Sequence, residues 1–251
     1  LKKLYPDVPV VLGGIEASLR RVMHYDYWQE RFRPSILVDS QADMITYGMG
    51  EKPTIALCQL LTDALEESHP DLAYDENGNS FITRSTFHQV VQEQHEVPQT
   101  VSLYRKNDIP GGIRKDDIML HSYEECMREP RLHADNFRHV EEESNKLRAQ
   151  RLLQQTGQQW VVVNPPFPPL TQEELDHSFD LPYTRLPHPK YKGKRIPAYE
   201  MIKFSVCMHR GCFGGCAFCT ISAHQGKFIM SRSKESILKE VEAITRMPDF
   251  K

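Results

Sequence analysis

The chain has 251 residues, with 31 Lys and Arg set against 34 Asp and Glu for a formal net charge of −3. That balance supplies no global field for gathering nucleic acid or anionic lipid. Hydrophobic residues make up 39% of the chain and no apolar run approaches the roughly 20 residues that span a bilayer, so a soluble protein with no membrane segment and no strong nucleic-acid signal is expected.

The opening Leu1-Lys2-Lys3-Leu4-Tyr5 has no initiating Met and no basic-then-apolar leader, which predicts a cytoplasmic protein. The chain stops just after an amphipathic helical segment whose apolar face needs a further element, so both ends are expected to belong to a longer protein. Val8 to Gly14 reads as a short strand closed by two glycines, and Ile15 to Val22 as a helix. Met44 to Gly50 repeats the pattern, followed by a helix from Glu51 to about Glu67. Strands alternating with helices predict an α/β fold with a parallel, doubly wound sheet. Neither glycine turn contains a full G-x-G-x-x-G, so both are read as plain strand-to-helix turns. Short strands and loops are expected from about 70 to 130, including Phe81-Ile82 and Thr100 to Tyr104. The charged stretch from His121 to about Thr156, with Leu147, Leu152 and Leu153, predicts one or two exposed helices. Trp160 to Asn164 reads as a strand stopped by Pro165-Pro166-Phe167-Pro168-Pro169. Leu181 to Ala198, with four prolines, predicts an extended segment and a domain boundary near 195.

Six cysteines are present. Cys58 and Cys126 stand alone and are expected to be small buried hydrophobes. The other four fall in Cys207-Met208-His209-Arg210-Gly211-Cys212-Phe213-Gly214-Gly215-Cys216-Ala217-Phe218-Cys219. In a reducing compartment such crowding points to a metal or redox role rather than to disulfides. Structural zinc usually takes two knuckles with two-residue gaps, and only one such gap, Cys216-x2-Cys219, is present. Cys212, Cys216 and Cys219 offer three thiolates from one tight loop, a set that leaves one iron of a cubane open. Whether Cys207 reaches the same cluster is left open. Gly211, Gly214 and Gly215 suit a loop wrapped around a bulky group. His209 and Arg210 either contact an anionic cofactor or decorate the loop, and His224 has no partner that the sequence identifies.

The spacing Cys-x3-Cys-x2-Cys, with Phe218 before the last cysteine, resembles the signature of the radical S-adenosylmethionine (radical SAM) superfamily. The string HRGCFGGCAFCTISAHQGKFIMSRSKESILKEVEAI from His209 resembles YgiQ-type (UPF0313) radical SAM proteins. So do VVLGGIEASLRR, ADMITYGMGE, VVVNPPFPPLTQEELD, LPYTRLPHPKY and IPAYEMIKFSV upstream. The resemblance implies a Rossmann-like α/β N-terminal region over 1–75, truncated at its start. A mixed linker region with exposed helices and a proline-rich segment would follow over 76–195. Residues 196–251 would begin the radical SAM core, with Ile202–Val206 and the helix after Ser233 as the first strand and helix of a truncated partial (β/α) barrel. In that helix Ser233 is a candidate N-cap, and Ile237, Leu238, Val241 and Ile244 share one face.

The resemblance further implies that Cys212, Cys216 and Cys219 hold three irons of a 4Fe-4S cluster. Its fourth iron would bind S-adenosylmethionine and cleave it to a 5'-deoxyadenosyl radical on receiving one electron from an external reductant, with Phe218 near the adenine. The substrate, a small molecule or a macromolecule, is not specified, and this stretch alone is expected to be inactive. Cys207 is a departure from a three-thiolate loop. The competing expectations are a structural zinc module using Cys207, Cys212, Cys216 and Cys219, and a cluster that only transfers electrons.

Overall fold

The computed structural model describes residues 1–67, 72–93 and 96–250. The chain divides into two compact units, residues 1–168 with 214–227, and residues 169–213 with 228–251. Residue 195, where the sequence suggests a boundary, lies inside the second unit.

The first unit is built on β1 (Val11–Leu12), the hairpin β2 (His24–Asp26) and β3 (Arg31–Arg33), and β4 (Met44–Thr46). A second hairpin, β5 (Ala73–Tyr74) and β6 (Ser80–Phe81), precedes β7 (Thr100–Arg105), β8 (Ile118–Leu120), β9 (Leu152–Thr156) and β10 (Gln159–Val163). Six of these form one sheet in the order β1-β4-β7-β10-β9-β8. The fold is α/β, with parallel pairing at the two ends of the sheet, β1 with β4 and β8 with β9. Between them β4, β7, β10 and β9 pair antiparallel, so the wholly parallel sheet expected from strand-helix alternation is corrected to a mixed one. The reason is local at one point: β9 and β10 are joined by a two-residue turn with Gly157 at φ 58°, where a glycine sets a tight hairpin.

Successive side chains on a strand point to opposite faces, and here both faces are covered. Ile45, Val101 and Val161 join one apolar cluster, Met44 packs with Leu57, Phe87 and Val91 in another, and Val162 packs with Leu153 and Trp160 in a third. Burial on both faces is why these strands read as unbroken apolar runs rather than as alternation. The helix Glu51–Glu66 agrees with its sequence prediction and buries Pro53, Leu57 and Ala64. The charged stretch forms two helices, Tyr123–Arg128 and Arg131–Ser144, the first closed by a capping box between Ser122 and Glu125. The predicted continuation of helix to Thr156 is wrong. Leu152, Leu153 and Gln154 are buried between β8 and β10 as strand, and two ladders of backbone hydrogen bonds outweigh their helix propensity.

In the second unit the helix Gln172–Phe179 starts with a capping box of Thr171 and Glu174. A short 3-10 turn, Pro189–Tyr191, and a helix, Pro197–Ile202, interrupt the segment expected to be extended. The strand expected over Ile202–Val206 is absent. Pro197, at the first position of its helix, starts helical turns that run through Ile202, and a Ser205 N–H bond to the Ile202 carbonyl follows. The strand here is instead β11 (His209–Arg210), antiparallel to β12 (Met230–Ser231). Ser233 caps the helix Lys234–Thr245 as predicted, accepting from the Ser236 N–H. Its buried row is Ser236, Glu240 and Ile244, whereas Leu238 and Val241 of the predicted apolar face are exposed.

Candidate functional site

The cysteine segment begins in the second unit. Cys207 precedes β11, and its carbonyl accepts from Arg232 Nη1 at 3.0 Å. Arg232 is buried; its other nitrogens bond the Ser236 hydroxyl and carbonyl, and Glu240 completes the ion pair. Both the Arg232 and Arg210 guanidinium groups lie on the Phe179 ring, 4.3 and 5.1 Å from its centroid. Arg185 adds a second cation to Glu240 at 2.8 Å. This cluster ties β11, β12 and the two helices after Thr171 and Ser233 to one buried acid. Gly211 leaves β11 at φ 87°, where an added Cβ would stand 1.9 Å from the Phe228 carbonyl oxygen. Only glycine fits there.

Residues 214–227 belong to the first unit. The Cys219 N–H donates to the Cys216 carbonyl at 3.0 Å, which closes a turn, and the helix Ile221–Gln225 follows with Ser222 and Ala223 buried. Its anchor is the pair of glycine turns after β1 and β4. The Ser18 hydroxyl donates to the Gly14 carbonyl at 2.8 Å and accepts from the Gly48 N–H at 2.9 Å. His224 Nδ1 lies 2.9 Å from the same hydroxyl. A hydroxyl has one proton, and with that proton given to Gly14 the contact to His224 is one in which Nδ1–H donates. Beside it the buried Arg21 donates to the Ser18 carbonyl at 2.5 Å, to Ser144 Oγ at 2.9 Å and to the Ala223 carbonyl at 3.4 Å. Its guanidinium lies 4.7 Å from the Tyr47 ring centroid, and burial pulls its pKa down while pushing the Tyr47 phenol up. The His224 segment thus packs against the turn after β4, where a Cβ on Gly48 would stand 3.1 Å from the His224 carbonyl oxygen. Sequence reading left His224 unpartnered and gave no role to Ser18, Arg21 or Arg232. The string containing Ser18 and Arg21 was visible, but contacts about 200 positions apart in sequence leave no local pattern.

All six cysteines are free. Cys207, Cys216 and Cys219 are exposed and Cys212 is half-buried, while Phe218 is 90% exposed. Cys207 and Cys212 belong to the second unit, and Cys216, Phe218 and Cys219 to the first. Among the described residues no group of three or more His, Cys, Asp or Glu side chains stands close enough to hold a metal ion. The donor chemistry still fits a thiolate-bound group. Three free thiols fall within eight residues, accessible, on a backbone that Gly211 and Gly215 hold at positive φ. The Cys207 Sγ instead donates to the His209 carbonyl at 3.2 Å. Cys126 is buried as expected, with burial pushing its thiol up to about 11, but Cys58 is exposed, on the outer side of the helix Glu51–Glu66.

Residues 1–205 match the family model described as Radical SAM N-terminal. The chain belongs to that family. The match ends just before Cys207, so it does not itself cover the cysteines. Relatives align along the whole chain: UPF0313 proteins of Bacteroides thetaiotaomicron at 57% identity, Porphyromonas gingivalis at 52% and Methanocella arvoryzae at 41%. In each, the aligned part is 36–38% of the relative, so the chain spans little more than a third of the length of the curated relatives it matches. No solved structure matches the chain. No helix among the described residues is long and apolar enough to cross a membrane.

Proposed function

We propose that this chain carries the cluster-binding loop of a radical SAM enzyme, with Cys212, Cys216 and Cys219 as thiolate ligands to three irons of a 4Fe-4S cluster. The observation that carries the reading is the Cys-x3-Cys-x2-Cys loop, with its free, accessible thiols and positive-φ glycines, in a chain of the Radical SAM N-terminal family. The cluster, when bound with S-adenosylmethionine at its fourth iron, supplies one-electron reductive cleavage to methionine and a 5'-deoxyadenosyl radical, the electron coming from an external reductant. The chain's own part is to bind and orient. The two arms of the loop are held separately, the upstream arm by Arg232 and the downstream arm by Ser18, Arg21 and His224. Phe218, exposed beside Cys219, is the aromatic surface offered to the adenine. Exposed thiols that must stay reduced fit a cytoplasmic setting.

Anaerobic reconstitution with iron and sulfide, read by visible absorption, electron paramagnetic resonance and iron analysis, tests the assignment. Cys212→Ala, Cys216→Ala and Cys219→Ala each lose the cluster, while Cys207→Ala, Cys58→Ala and Cys126→Ala keep it. Wild-type iron in Cys216→Ala counts decisively against this reading. Loss of iron in Cys207→Ala, or colourless, diamagnetic zinc on all four clustered cysteines, replaces it with a closed, non-catalytic site. A cluster signal that S-adenosylmethionine leaves unchanged in the full-length enzyme points to electron transfer alone.

A further inference from the structure

The chain's net charge of −3 hides a local excess of the opposite sign. Between Asp180 and Glu200 there is no acid, while Arg185, Lys190, Lys192, Lys194 and Arg195 are present. Arg185 is engaged by Glu240. Among the described residues none of the other four forms an ion pair, and every residue from 186 to 195 is exposed. Glu200 and Asp249 are both drawn to Lys203, at 3.0 and 3.6 Å. Four cations therefore have no ion-pair partner among the described residues, on a segment that Pro187, Pro189 and Pro197 stiffen, which lowers the entropy lost when a partner docks.

The segment also folds around a groove of about 360 Å³, lined by Tyr191, Lys192, Lys194 and Tyr199 and also by the acids Glu200 and Asp249. That volume lies within the roughly 300–1,000 Å³ typical of small-ligand clefts. Tyr191 is 40% exposed, with the Lys190 ammonium over one face of its ring at 5.0 Å from the centroid, and Tyr183 presents an exposed ring whose hydroxyl is held on the Ser178 carbonyl at 2.9 Å. Exposed cations interleaved with fixed aromatic faces are what a single-stranded nucleic acid needs: ammonium groups for phosphates and rings on which unpaired bases stack. An acidic protein surface would use the cations and leave the rings idle.

We propose that the 181–199 segment is a docking site for single-stranded nucleic acid, with phosphates on Lys190, Lys192, Lys194 and Arg195 and bases on Tyr183 and Tyr191. It is independent of the cysteine loop, so it stands or falls apart from the cluster assignment. Fluorescence anisotropy of the full chain with labelled single-stranded RNA and DNA 20-mers measures it. Four phosphate contacts give a log–log salt slope of about −2.8, hence roughly 50-fold weaker binding at 200 mM than at 50 mM salt. The triple variant Lys190→Gln, Lys192→Gln, Lys194→Gln leaves one contact and only about a threefold salt effect. Tyr183→Leu and Tyr191→Leu each weaken binding roughly tenfold with the slope unchanged. Preference for RNA over DNA, or none, identifies which strand is taken. The proposal is overturned if neither oligonucleotide binds at 50 mM salt, if the triple variant binds as wild type, or if the tyrosine variants are neutral and polyglutamate competes as well as RNA. Circular dichroism of each variant must match wild type, which is expected because these side chains are exposed.

Discussion

Arg21→Met tests whether the first unit holds the downstream arm of the cysteine loop. The native guanidinium makes hydrogen bonds to the Ser18 carbonyl, the Ala223 carbonyl and Ser144 Oγ and lies on the Tyr47 ring. Charged hydrogen bonds contribute about 1.5–3 kcal/mol each and the ring contact about 1 kcal/mol, or roughly 5–10 kcal/mol gross. Against this stands the cost of burying the charge, several kcal/mol, made worse by Nε, which finds no partner among the described residues. Methionine fills much of the volume but leaves two buried carbonyls without donors. A net loss of about 3 kcal/mol follows, a factor of roughly 150 in the opening equilibrium. Hydrogen exchange by mass spectrometry reads it locally: amides of 221–226, where Ala223 and Gly226 N–H groups bond Thr220 and Ser222, should exchange faster by about that factor. The helix Glu51–Glu66, far from Arg21 in the network, should change only through global stability. Unchanged protection at 221–226 in a folded Arg21→Met protein would refute the anchoring, and equal acceleration everywhere would show that Arg21 serves the fold rather than the loop.

Three further outcomes are expected. Asp117 is raised by burial but held below the usual carboxylate range overall by its Arg151 bonds at 2.7 and 2.9 Å. Its stabilisation is therefore complete above the unfolded value of about 3.9 and is lost as pH falls through the lower folded value. Arg151→Met should cost about 3–5 kcal/mol at pH 7, and the deficit should shrink toward pH 3 as Asp117 is neutralised; a pH-independent deficit in urea melts contradicts the pairing. Gly211→Ala puts a Cβ into the Phe228 carbonyl at a positive φ and should cost at least about 2 kcal/mol, seen as loss of protection in β11 and β12; native protection there would show that the turn is not required. In the cluster-free chain a thiol reagent at pH 8 should label every cysteine except Cys126, whose thiol burial raises to about 11. After reconstitution Cys58 and Cys207 should remain reactive and Cys212, Cys216 and Cys219 should not.

What the residues determine unaided is whatever depends on near neighbours in the chain. The Cys-x3-Cys-x2-Cys spacing on which the proposed cluster loop rests is wholly local, and Glu51–Glu66 carries its helical period, which the structure bears out. The cap at Ser233 was legible for the same reason: it needs only the N–H of Ser236, three positions on. Tertiary structure alone decided that Leu152 and Leu153 are strand, because their hydrogen bonds go to β8 and β10 and not along the chain. It also decided that the helix after Ser233 buries Glu240 ahead of Leu238, because Arg232 and Arg185 offer that acid two cations. The partners of His224 lie on Ser18, 206 positions away. A local sequence pattern records propensity and period, but a buried charge or imidazole is set by whichever distant group the fold brings within hydrogen-bond reach, and that choice is made only once the sheet has assembled.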